Sequence, residues 1–165
     1  MQEIELDPLD VALLNQLQID CSLSNQALAK RMHVSPPTCL RRVKRLLDAG
    51  LIERQIALVD TDLLALRIGH GLTAIVEVTL DRQHQDAVEE FERRVAPDAA
   101  VQQCYRVSPG PDFILVIHAN DMPGYLALSQ RLFTSDANVR NIKTFFSIKR
   151  AKFEPRVALM RPERA

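Results

Sequence analysis

The sequence predicts an α+β protein in two parts: a helical N-terminal domain closed by a short ribbon, and a C-terminal domain in the order β-α-β-β-α-β. Three observations carry this reading. The first sixty residues hold three helix starts of one build, an Asp or Ser cap followed by apolar residues at helical spacing. From Leu72 the apolar period changes to two. Segments of helical period then alternate with segments of period two as far as Ile148.

Asp7 is placed to cap the first helix, with Pro8 in its first turn, Asp10 three residues after the cap, and Leu6 and Val11 as a hydrophobic staple. Its apolar face runs Leu9, Leu13, Leu17, with Ala12 and Leu14 alongside. Ser24 caps a second helix, with Leu23 and Leu28 as staple and Ala27, Leu28 and Met32 facing inward. His33 occupies the next turn, where a positive φ is expected and histidine tolerates it better than a branched residue. Ser35 caps a third helix with Pro36 at its first position. Cys39, Leu40, Val43, Leu46 and Leu47 form its apolar side, Arg41, Arg42, Lys44 and Arg45 the other, and Gly50 closes it. The β-formers from Leu51 to Val59 read as a strand, completing a winged helix-turn-helix over residues 1–60, and residues 61–70 read as a linker.

In the second part, residues 72–80 read as a strand with Ala74, Val76, Val78 and Leu80 on one face. A helix over residues 83–95 turns Ala87, Val88, Phe91 and Val95 inward, and Pro97 lies just past its end. Strands at 101–107 and 113–119 flank a turn at 108–112; a helix at 123–133 and a strand at 140–148 follow. This is the ferredoxin-like order, assigned to residues 71–153, with 154–165 as a tail that could add an edge strand or arm. Both helices on one face leave the other sheet face bare, and pairing with a second copy is the expected cover.

Composition narrows the function. Apolar residues make up 47% and charged residues 25%, both globular values. No apolar run approaches the ~20 residues of a membrane span, and the acidic start does not read as a signal or transit peptide. Cys21, Cys39 and Cys104 are widely spaced and read as reduced, partly buried thiols; neither they nor the four histidines show metal-ligand spacing. Lys and Arg balance Asp and Glu at 21 each, yet Lys30 to Arg45 holds six basic residues and no acidic one. A neutral chain with one basic stretch on a capped helix points to a phosphate-reading surface, with affinity drawn from several copies. Lys30, Arg31, Ser35, Pro36, Thr38, Arg41, Arg42, Lys44 and Arg45 are the candidate DNA contacts. Among them Thr38, Arg41, Arg42 and Arg45 are the candidates for base edges.

These residues, in this order, resemble the Lrp/AsnC family of transcription factors over about residues 6–152. SPPTCLRRVKRLLDAGLI is similar to the family's recognition helix, LDPLDVALLNQLQ and LSNQALAKRMHVS to its first two helices, and VSPGPDFILVI to a strand-turn-strand of its effector domain. The resemblance implies a DNA-binding regulator in the cytoplasm, associated with the nucleoid. It implies a homodimer assembling further, to an octamer, and an amino-acid effector near Ser108, Gly110, Asp112 and Phe113. Asp112 could accept an ammonium or could cap the turn as an Asx residue; its substitution is expected to affect ligand response more than stability. Pro109 stands where the family has a turn glycine, and Glu154 and Pro155 interrupt a common terminal motif; weak or altered effector binding is the expectation. No nucleophile–base pair, phosphate-binding glycine loop or carboxylate pair stands out, so neither an enzyme nor a cofactor is predicted. The alternatives are a stand-alone amino-acid sensor and a protein-docking winged helix.

Overall fold

A computed structural model describes residues 4–68 and 71–160. They form two compact units, one of residues 4–58 with 152–160 and one of the described residues between them.

The first unit contains α1 (Pro8–Ile19), α2 (Asn25–Arg31) and α3 (Pro36–Asp48). Each start is capped as expected: Asp7 accepts from the Leu9 and Asp10 N–H groups, Ser24 from Ala27, and Ser35 from Thr38. The Asp10 carboxylate returns a bond from the Asp7 N–H at 3.1 Å, completing a capping box. His33 ends α2 with φ 56°, the Val34 N–H reaching back to the Ala29 carbonyl at 3.0 Å. Gly50 does the same for α3 with φ 73°, the Leu51 N–H bonding the Leu46 carbonyl at 3.0 Å. Leu13, Leu14, Leu28, Ala29, Cys39 and Leu46 form the core, and Leu159 from the far end of the chain packs against it.

Four expectations for this region are corrected. Ala29 rather than Ala27 is buried on α2. Leu40 and Leu47, expected inward, are 59% and 41% exposed, because the buried stripe of α3 runs Cys39, Val43, Leu46 and they lie beside it. Residues 51–59 form no strand: only Ile52 joins the core, and among the described residues the β-formers beyond it have no strand to ladder with. Of the edge strand or arm expected of the tail, the described residues 152–160 add no edge strand to the sheet and belong to the first unit.

The stretch expected as a linker folds as α4 (Thr61–Ile68), with Asp60 accepting from the Leu63 N–H at 3.0 Å. The second unit follows with β1 (Leu72–Leu80), α5 (Gln85–Val95), β2 (Val101–Arg106), β3 (Phe113–Ala119), α6 (Met122–Ser129) and β4 (Val139–Phe146). A π-helical turn, Gln130–Thr134, continues α6. The sheet is antiparallel in the order β2-β3-β1-β4, the ferredoxin-like arrangement. Its buried face meets α5 and α6 through Val76, Val78, Phe113, Leu115 and Ile117 against Phe91, Val95, Leu128 and Phe133. The Phe91 ring centroid lies 4.6 Å from that of Phe113. Among the described residues no helix is long and apolar enough to cross a membrane.

Candidate nucleic-acid interface and effector turn

Ser35 and Pro36 start α3 without an acidic residue in its first turn, and its outward stripe runs Pro37, Arg41, Lys44. All three are exposed, Leu40 lies on one flank and Thr38 on the other, and the Thr38 hydroxyl shares a 2.8 Å hydrogen bond with Ser35. Lys30 and Arg31 are exposed at the end of α2. Among the described residues neither Arg41 nor Lys44 forms a salt bridge.

Arg42 and Arg45 behave differently from the expectation. Arg42 Nη1 bonds Asp7 Oδ2 at 2.5 Å and Asp10 Oδ2 at 3.0 Å, and Arg45 Nη2 bonds the same Asp10 oxygen. Asp10 is fully buried, so two guanidinium groups of α3 converge on one carboxylate of α1. The reason is angular. Arg42 stands three residues after Cys39 and four before Leu46, at the edge of the buried stripe, and Arg45 stands one turn further on. Their guanidinium groups tie α3 to α1.

Electrostatics follow the same contacts. The Asp10 N–H, then the Arg42 guanidinium, hold the Asp7 carboxyl below the ordinary carboxylate range. The bond to Asp7, followed by the charges of Asp10 and Asp7, raises Arg42 further. Asp7 therefore contributes stability that is complete above about pH 4 and is lost as pH falls through its lowered pKa. Its side chain is 41% exposed, so solvent screens the effect to well under the unscreened value. Melting temperatures recorded between pH 7 and pH 2 are expected to fall below about pH 4, and less so in Asp7→Ala. Burial pushes the Cys39 and Cys104 thiols up, which disfavours the reactive thiolate; Cys21, expected to be partly buried, is exposed.

The turn at 108–112 has a cis Ser108–Pro109 bond and Gly110 at φ 127°, both residues of that bond and Gly110 being exposed. Asp112 is tied to the end of β1: its Oδ2 accepts from the Leu80 N–H at 2.7 Å and from Gln83 Nε2 at 3.2 Å, and its own N–H donates to the Val78 carbonyl at 2.9 Å. The β1–β4 register shifts between Thr79 and Leu80, and Asp112 satisfies the amide at that irregularity. Asp112 is thus a structural tie first, and its loss is expected to affect stability as well as any ligand. Phe113 is fully buried in the core against Phe91, so its ring is not offered to an effector. Ser108 and Gly110 remain at the surface.

The bare sheet face carries an apolar band. Ile75 stands opposite Val116 on one side and Phe145 on the other, and Tyr105 stands opposite Ile114. Ile75, Tyr105 and Phe145 are exposed. Glu77 and Lys143 stand opposite one another in the ladder beside it. Among the described residues no group of three His, Cys, Asp or Glu side chains is placed to hold a metal.

A helix-turn-helix with a basic outward stripe, joined to a ferredoxin-like domain, defines a DNA-binding regulator, and comparison with known proteins agrees. Residues 6–47 match the AsnC-type helix-turn-helix domain and residues 73–157 the Lrp/AsnC ligand-binding domain. An HTH-type transcriptional regulator of Haemophilus influenzae is 34% identical over 154 residues, covering 93% of this chain and 89% of that one. The leucine-responsive regulatory protein of Escherichia coli is 32% identical over 155 residues, covering 94% and 92%. Among solved structures, an AsnC-family regulator from Agrobacterium tumefaciens superposes with TM-score 0.80 at 25% identity, covering 92% and 96%. The Neisseria meningitidis regulator NMB0573, solved as its L-Met complex, superposes with TM-score 0.78 at 29% identity, covering 92% and 95%. The chain belongs to the Lrp/AsnC family of transcriptional regulators, a family of regulators and not of enzymes.

Proposed function

We propose that the protein binds double-stranded DNA in the cytoplasm, at the nucleoid, as a homo-oligomer that inserts α3 into the major groove. The observation that carries this is the outward stripe of α3, where Pro37, Arg41 and Lys44 are exposed while Arg42 and Arg45 are held by α1. Arg41 is then the base-reading arginine, suited to the paired acceptors of guanine, with Thr38 and Lys44 beside it. Lys30, Arg31 and the Ser35–Pro36 helix start face phosphates and set register. Two copies join through the bare sheet face. The unladdered β-formers Ile56, Leu58 and Val59, each exposed, are available for strand pairing with a neighbour. Dimers assemble further, to an octamer as the family resemblance implies.

The effector is an amino acid at the 108–112 turn. The ligand-binding-domain match and the L-Met complex of the Neisseria relative support this class. Ser108 and the backbone around Gly110 supply exposed polar groups, and Asp112 fixes the turn from behind. Binding there shifts the assembly and so the spacing of the reading heads.

The test is a titration against DNA selected from a random pool. Arg41→Ala should weaken binding by about 1–3 kcal/mol and relax preference at one base pair. Lys30→Ala should weaken all sequences alike and lower the salt slope by about one. Parent-like affinity and preference in Arg41→Ala would remove α3 from the groove.

A further inference from the structure

The C-terminal segment returns to the first unit through a specific set of bonds. Asn15 Nδ2 donates to the Leu159 carbonyl at 2.9 Å, and Asn15 Oδ1 accepts the Leu159 N–H at 3.1 Å. Gln18 repeats the pattern on Val157, its Nε2 donating to the carbonyl at 3.0 Å and its Oε1 accepting the N–H at 2.8 Å. An extended chain points the peptide groups of alternate residues the same way, about 6.6 Å apart. Residues three apart on a helix face have Cβ atoms about 5–6 Å apart, and the unequal lengths of Asn and Gln take up the difference. The two side-chain amides thus act as the edge of a sheet, while the partly buried Leu159 side chain packs against the core of the first unit. Val157 and Met160 stay exposed, so recognition is of backbone and one aliphatic side chain.

We propose that α1 carries a binding site for an extended peptide, made by Asn15, Gln18 and the apolar gap that Leu159 fills, and that its occupant is residues 156–160 of this chain. The chain therefore passes between the two units twice, at residues 58–59 and again at 151–152. The second passage is a strap running from the end of β4 to α1, the helix whose Asp7 and Asp10 hold α3.

Hydrogen exchange on the full chain tests this without DNA or effector, so its result is independent of the regulatory reading. The Val157 and Leu159 amides should exchange at least about tenfold more slowly than those of Ala158 and Met160, each being held in a paired hydrogen bond. Asn15→Ala/Gln18→Ala should abolish that difference while α1 amides keep their protection, alanine being a good helix former. Leu159→Ala should weaken the protection with the clamps intact. Equal exchange at all four amides in the parent, or protection unchanged in the double variant, would overturn the proposal. Protection that disappears on dilution would assign the segment to a neighbouring copy and overturn the intrachain strap.

Discussion

Asp10→Ala should destabilise the DNA-binding unit by about 3–5 kcal/mol, the usual consequence of removing one partner from a buried ion cluster. Two guanidinium groups, Arg42 and Arg45, would lose the buried carboxylate on which they meet, and the Asp7 N–H would lose its cap. A unit of this size has a total stability near the low end of 5–15 kcal/mol, so the loss is a large share of it. Hydrogen exchange of α1 and α3 amides under mild denaturant reads the effect without interference from the second unit. Replacing the whole cluster, Asp10→Leu with Arg42→Met and Arg45→Met, should recover most of the stability, because no buried charge is left unpaired. A variant with Asp10→Ala alone that exchanges like the parent would mean the cluster holds nothing.

Ile75→Asp should have the largest effect on DNA binding of any change outside the first unit. Ile75 sits centrally in the apolar band, between Val116 and Phe145, and a carboxylate there cannot be buried against a second copy without a partner. Sedimentation should report loss of the dimer. Affinity for a two-site operator should fall by about 10²–10⁴, the range of effective concentration lost when linked heads separate. The monomer itself should keep its fold, since the substituted side chain lies on the face away from Phe91 and Phe133. A parent-like sedimentation profile would place the interface elsewhere.

What was legible in the sequence was local. Asp7, Ser24 and Ser35 act within three residues of themselves, and His33 and Gly50 solve a backbone problem at a single position. The element order β-α-β-β-α-β was also legible, because strand segments such as Leu72–Leu80 and the apolar run from Phe113 to Ile117 are separated by turns and by segments of helical period. The errors came where a residue's fate depends on a distant partner. Residues 51–59 have strand formers but, among the described residues, no strand to pair with. Asp60 announced α4 with a cap that the linker reading passed over. The charge of Arg42 and Arg45 suggested a solvent face, whereas their angular position beside Cys39 and Leu46 was the better guide. Asn15 and Gln18 gave no sequence signal, since their partners lie 144 and 139 residues away.

The most direct test of the account is a comparison of Arg41→Ala with Arg42→Ala, measuring affinity for the selected DNA and melting temperature on the same samples. The account predicts that Arg41→Ala melts like the parent but binds at least about tenfold more weakly, with preference lost at one base pair. Arg42→Ala should melt lower, and well below its transition it should keep the parent's base preferences. The reverse result, with Arg42→Ala as stable as the parent but blind at one base pair and Arg41→Ala binding normally, would contradict the division of the helix into a face that reads and a face that holds.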